Sequence, residues 1–133
     1  MPPMSMLSII NPSTLLPYPA TLAGPSHRLC YAIPAGARFA VVVKAPRAAQ
    51  RFEAVVAVDG RDTLSNRDAA PGLPGIVFTD RYTCLGFRTD AASVREFVCT
   101  RLGPGATTAE RNGTAASAGT VAAALYPERG YRY

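Results

Sequence analysis

The chain has 133 residues, within the range of one domain, and 48% of them are hydrophobic, though with five Phe, six Tyr and no Trp. A domain of this size buries roughly two-thirds of its unfolded surface, so one thin, β-branched core is expected. The net charge of +5 comes from 14 Lys and Arg against 9 Asp and Glu, with Lys44 the only lysine. The basic residues are spread from Arg28 to Arg132 with no run of three, which argues against a nucleic-acid stripe and suits arginine-rich protein interfaces.

Residues 1–34 read as an extended, proline-rich N-terminal arm. Pro2, Pro3, Pro12, Pro17, Pro19, Pro25 and Pro34 each remove a backbone donor and push the preceding residue toward extended geometry, which excludes a helix. Met4, Met6, Leu7, Ile9, Ile10, Leu15, Leu16 and Tyr18 would be left in water if the arm hung free, so they are the first candidate interface residues. The start lacks the basic segment of a secretory signal, and prolines or charges interrupt every stretch long enough to span a bilayer. The expectation is therefore a chain that is neither secreted nor membrane-bound.

The body is expected over residues 35–127. Residues 38–44 (RFAVVVK) form a β-branched run in which Phe39, Val41 and Val43 share one face; Ala40 and Val42 make the other face apolar too, as in a strand covered on both sides. Residues 51–58 (RFEAVVAV) alternate, with Phe52, Ala54, Val56 and Val58 facing inward, and Asp59-Gly60 ends the strand. Shorter strands are expected at 75–79, 82–87, 94–102 and 119–126, between Gly, Pro, Asn and Asp. Short strands at this spacing define an all-β fold: a single antiparallel β-sandwich or barrel-like domain. Residues 103–118 read as a long loop with a turn at Asn112-Gly113. The tail, 128–133, adds Arg129, Tyr131, Arg132 and Tyr133, a composition common at interface anchors.

No catalytic, cofactor or metal site is expected. His27 is the only histidine and lies in the proline-rich arm, so a Ser-His or Cys-His pair has little support. Cys30, Cys84 and Cys99 are widely separated and odd in number, fitting neither a disulfide framework nor a zinc knuckle, and are expected as buried free thiols. Asp59, Asp62, Asn66 and Asp68 offer oxygen ligands, but not at the spacing of an EF-hand loop, and Arg61 and Arg67 would oppose a cation. A structured turn is expected there. GPG at 103–105 has no following Lys-Ser or Lys-Thr, so no phosphate loop is present. The absence of Trp disfavours a sugar cleft.

Three blocks, VVAVDGRDTL (55–64), GFRTDAASVREFV (86–98) and GTVAAALYPE (119–128), resemble a family of small, largely uncharacterised β-rich proteins of bacteria and their phages. The shared features are a VDG-x-D turn after a valine-rich strand, a G-F-R strand, and a Gly-led apolar strand ending in an acidic residue. The match departs at PGLPGIVFTDRY (71–82) and at EFVCTRL (96–102). The resemblance implies a β-rich fold and transfers no catalytic or ligand-binding residue. With the apolar arm, it leads to the expectation of a virion structural protein, a capsid decoration or cement subunit present in many copies or as a homo-oligomer, whose partners are the major capsid protein or other virion proteins. The alternatives are a tail or head-to-tail adaptor, or a peptide- or carbohydrate-binding module of the bacterial cytoplasm.

Overall fold

The computed structural model describes residues 6–23, 28–70, 72–99 and 120–127. Met4, His27, the 103–118 loop and the tail residues Arg129, Tyr131, Arg132 and Tyr133 lie outside them. Eleven strands are described and no helix: β1 Leu7–Ile10, β2 Ala20–Ala23, β3 Arg28–Tyr31, β4 Arg38–Lys44, β5 Arg51–Val58, β6 Arg61–Asp62, β7 Ile76–Thr79, β8 Arg81–Cys84, β9 Gly86–Arg88, β10 Val94–Val98 and β11 Val121–Pro127. The fold is all-β and antiparallel, and it is not a closed barrel. One sheet contains β1, β4, β8, β9 and β10; a second contains β5, β6, β7 and β11; β2 and β3 form a separate hairpin.

The two sheets share one core. Val41 and Val43 of β4, Phe97 of β10 and Phe87 of β9 meet Phe52, Ala54, Val56 and Val58 of β5 and Phe78 of β7. The alternation in β5 is the cause, since its period of two places every second residue inside. Three phenylalanines knit the first sheet's inner face: Phe97 stacks on Phe39 at 5.1 Å and meets Phe87 edge-on at 5.2 Å. Ala40 and Val42 are also buried, with Ile10, on the opposite face of β4. Their apolar character thus reflects cover on both sides of that strand.

Two turns depend on unusual backbone. Asp59 (φ 55°) and Gly60 (φ 75°) are the two central residues between β5 and β6, the left-handed pair that a tight two-residue hairpin requires. Asp80 (φ 65°) is the corner at which the chain leaves β7 in one sheet and enters β8 in the other. Its carbonyl accepts from the Ala45 N–H at 2.9 Å and its Oδ1 accepts from the Ala49 N–H at 3.2 Å, so the corner also holds the β4–β5 connection.

Within the segment read as an extended arm, β1 folds back as a strand of the body. β1 pairs antiparallel with β4 along its whole length, Leu7 to Val43 through Ile10 to Ala40. Ile9 and Ile10 are 3% and 8% exposed, buried by their own chain, and Leu7 and Tyr18 pack against the core. After β1 the chain turns and returns, the Tyr18 N–H donating to the Ile9 carbonyl at 2.9 Å. Prolines did not prevent this because they occupy the turn and its flanks: Pro12 and Pro17 bracket β1's return, and neither lies in β1. The cysteines are free as expected, but only Cys84 is fully buried; Cys30 is exposed and Cys99 is half-buried.

A candidate docking face

Met6, Leu85, Val94 and Val98 of the first sheet stay exposed, as do Val77 and Tyr126 of the second and Leu15 and Leu16 in the turn after β1. In the first sheet Leu7, Ile9, Val41, Val43, Cys84 and Phe97 point into the core. Alternation therefore turns Met6, Ile10, Ala40, Val42, Val94 and Val98 to the opposite face, where Ile10, Ala40 and Val42 are themselves buried and Met6, Val94 and Val98 are not. Met6, Val94 and Val98 are large and close to half exposed, as is Leu85 where β8 gives way to β9. Arg38 and Lys44 stand at the two ends of β4 on this face, with Arg81 and Arg88 on neighbouring strands. Glu96 is the acidic residue among them, and it pairs with Arg38 at 3.2 Å. Exposed apolar side chains interspersed with arginines are a composition common at protein interfaces.

The turn joining β1 to Pro17 exposes two more large apolar residues. The Leu15 N–H donates to the Asn11 carbonyl at 2.8 Å, and the Asn11 N–H to the Leu16 carbonyl at 2.9 Å. The Asn11 Oδ1 accepts from the Ser13 N–H at 2.8 Å. This small, well-bonded loop holds Leu15 and Leu16 out at 71% and 65% exposure. Leu15 sits at φ 62°, a left-handed conformation that suits Gly or Asn and strains a branched side chain.

Of the interface residues expected from sequence, Met6, Leu15 and Leu16 remain exposed, at opposite ends of β1; Leu7, Ile9, Ile10 and Tyr18 are used within the chain. The Tyr18 hydroxyl donates to the Arg38 carbonyl at 2.6 Å, clamping the returning turn onto β4. Leu85, Val94 and Val98 were missed. The pattern VREFV does carry a signal, since a buried Phe97 forces Val94 and Val98 to the outside.

The acidic stretch 59–68 is a structured turn. Arg61 donates from Nε to the Asn66 Oδ1 at 2.9 Å and lies 3.7 Å from the Asp68 Oδ1, so a guanidinium stands where a cation would have to. The buried Asp62 accepts at Oδ2 from the Ser65 N–H and hydroxyl. Its Oδ1 has no partner among the described residues. Among the described residues no group of three or more His, Cys, Asp or Glu is placed to hold a metal ion.

A recess of about 160 Å³ lies between this turn and the β8–β9 segment, lined by Thr63, Tyr82, Cys84 and Arg88 among others. The Cys84 thiol donates to the Gly86 carbonyl at 3.6 Å. Burial, then the neighbouring Cys84, raises the Tyr82 phenol well above its ordinary value, so it stays protonated and offers no base. Burial also raises Tyr31. Both phenols ionise more readily in the unfolded chain, so folding stability holds below about pH 10 and falls as pH rises beyond it. Chemical denaturation at several alkaline pH values is expected to show a shallower loss for Tyr82→Phe than for wild type; equal slopes would contradict this burial.

Compared with protein-family models, curated proteins and solved structures, the chain finds no match. The family resemblance therefore rests on the three sequence blocks alone.

Proposed function

We propose that this chain is a non-enzymatic subunit of a larger protein assembly, which docks through the exposed Leu15-Leu16 turn and the apolar residues left exposed in its five-stranded sheet. The observation that carries the proposal is Leu15. A bulky residue that is 71% exposed gains little from folding, and at φ 62° it costs of order 1 kcal/mol in strain. A glycine would relieve that strain, so the side chain has a use outside the fold. The exposed Leu16, Met6, Leu85 and Val98 supply further apolar area, and Arg38, Lys44, Arg81 and Arg88 favour a partner bearing carboxylates. The narrower reading, a decoration or cement subunit on a phage shell, rests on the sequence resemblance.

The test is gradient sedimentation of the tagged full-length chain expressed in its source cells. Wild type is expected in a high-mass fraction, and the Leu15→Gly, Leu16→Ser double variant among free proteins. Leu15→Gly alone is expected to keep the folding stability of the purified chain within about 1 kcal/mol of wild type, because relieved strain offsets the added unfolded-state entropy. Sedimentation of wild type and double variant alike as small free proteins would refute the assembly reading.

A further inference from the structure

Two edge strands of the sandwich, β1 and β11, are treated differently by the chain. β7 and β8 follow one another through Asp80 and pair with β5 and β4, which places them on one flank; β1 and β11 are the edges on the other. β1 is guarded. The Tyr18 N–H takes the Ile9 carbonyl, and the Tyr31 hydroxyl donates to the Leu7 carbonyl at 3.3 Å and lies within hydrogen-bond reach of the Ile9 N–H. A side chain thus occupies the groups that a foreign strand would use, a recognised way to blunt an edge.

Among the described residues β11 has no such guard. It pairs with β5 along its whole length, and no described residue bonds to its other side. The Asp59 N–H donates to the Thr120 carbonyl at 2.9 Å, which fixes Thr120 as facing β5. Antiparallel alternation then turns the N–H and C=O groups of Val121, Ala123 and Leu125 outward, together with the Pro127 carbonyl. Pro127, which has no N–H, falls in the outward register, where it breaks no bond to β5. The strand VAAALYP carries no charge and no bulge, and Val121 and Leu125 reach the core while remaining only half-buried.

We infer that β11 pairs antiparallel with β11 of a second copy of this chain, joining the two four-stranded sheets into one continuous sheet across a two-fold axis. The strand fits itself. With the axis at Ala123, Val121 of each copy meets Leu125 of the other and covers the half-buried rim of both cores. These pairs and the central Ala123 pair each exchange their N–H and C=O bonds, and between them only the methyl groups of Ala122 and Ala124 approach. An isologous contact requires this reciprocity, and a strand without charge has nothing to repel its own copy. The pairing uses up the β11 edge of each copy, so this contact closes at the dimer.

Light-scattering mass of the purified full-length chain is measured over a concentration series from micromolar to millimolar, with backbone amide exchange on the same samples. Wild type is expected to approach twice the 14.0 kDa chain mass, with the Val121, Ala123 and Leu125 amides slowing as the dimer forms. Ala123→Pro removes an outward N–H and leaves the bonds to β5 in place, so it is expected to be folded and monomeric; Leu125→Lys, which places a charge at the joint, is a second monomeric variant. Leu15→Gly is expected to dimerise as wild type does, which separates this contact from the docking face. A wild-type mass of 14.0 kDa at every concentration overturns the proposal, as does a dimer that persists in both β11 variants or leaves those three amides unprotected.

Discussion

Phe97→Ala is expected to lower stability by about 3–5 kcal/mol, a large share of the total for a domain of this size. The residue is 3% exposed, lies between Phe39 and Phe87, and faces the second sheet across the core. Truncation removes the transfer energy of the ring and leaves a cavity whose walls are strands already fixed by their ladders, so collapse around the gap is limited. Because the N–H of Phe97 also donates to the Leu85 carbonyl at 3.2 Å, loosening here reaches the β8–β9 junction, where Leu85 belongs to the proposed docking surface. Urea denaturation of the variant measures the loss; a midpoint shift equivalent to under 1 kcal/mol would mean that Phe97 is not at the centre of the core.

Gly86→Ala is expected to rank next, at the upper end of the roughly 1–3 kcal/mol that overpacking costs. A Cβ at this position would stand 2.0 Å from the Arg95 carbonyl oxygen and 2.8 Å from the Glu96 Cα, and backbone atoms of a paired strand cannot rotate away. β9 and β10 would have to separate at the Gly86 to Glu96 pair. The glycine is needed for this close approach, not for a left-handed turn. Comparison with Gly72→Ala checks the argument, since Gly72 has open space around it but sits at φ 84°, so its cost comes from strain alone. If Gly86→Ala melts with wild type, the close pairing of β9 and β10 is wrong.

The body of the sandwich was legible because its strands carry their own patterns. β4 and β5 coincide with the runs 38–44 and 51–58, and the alternation of Phe52, Ala54, Val56 and Val58 gave the inward face directly. Asp59-Gly60 named its turn through the only chemistry that tolerates two left-handed residues in sequence. The edge of the first sheet was not legible. Four residues, Leu7–Ile10, are too short to show a period, and the surrounding prolines suggested an arm; what fixes β1 is the partner β4, distant in sequence, whose second apolar face had no cover until Ile10 reached it.

The docking face was half legible for the same reason. Exposed leucines at positions 15 and 16 stood out by composition, but a list of apolar residues does not separate those that a chain buries itself from those it leaves outside. Ile9 and Leu15 look alike in sequence and differ in burial by most of their surface. Leu85 gave no signal, because it interrupts an expected strand, 82–87, that the structure divides into β8 and β9.

Hydroxyl-radical footprinting tests the docking account most directly, comparing the purified chain with the same chain in the high-mass fraction of its source cells. The account predicts that Met6, Leu15, Leu16 and Leu85 lose labelling in the assembly while Val77, 42% exposed on the outer face of the other sheet, labels equally in both. Protection of Val77 with Leu15 and Leu16 still fully labelled would contradict it.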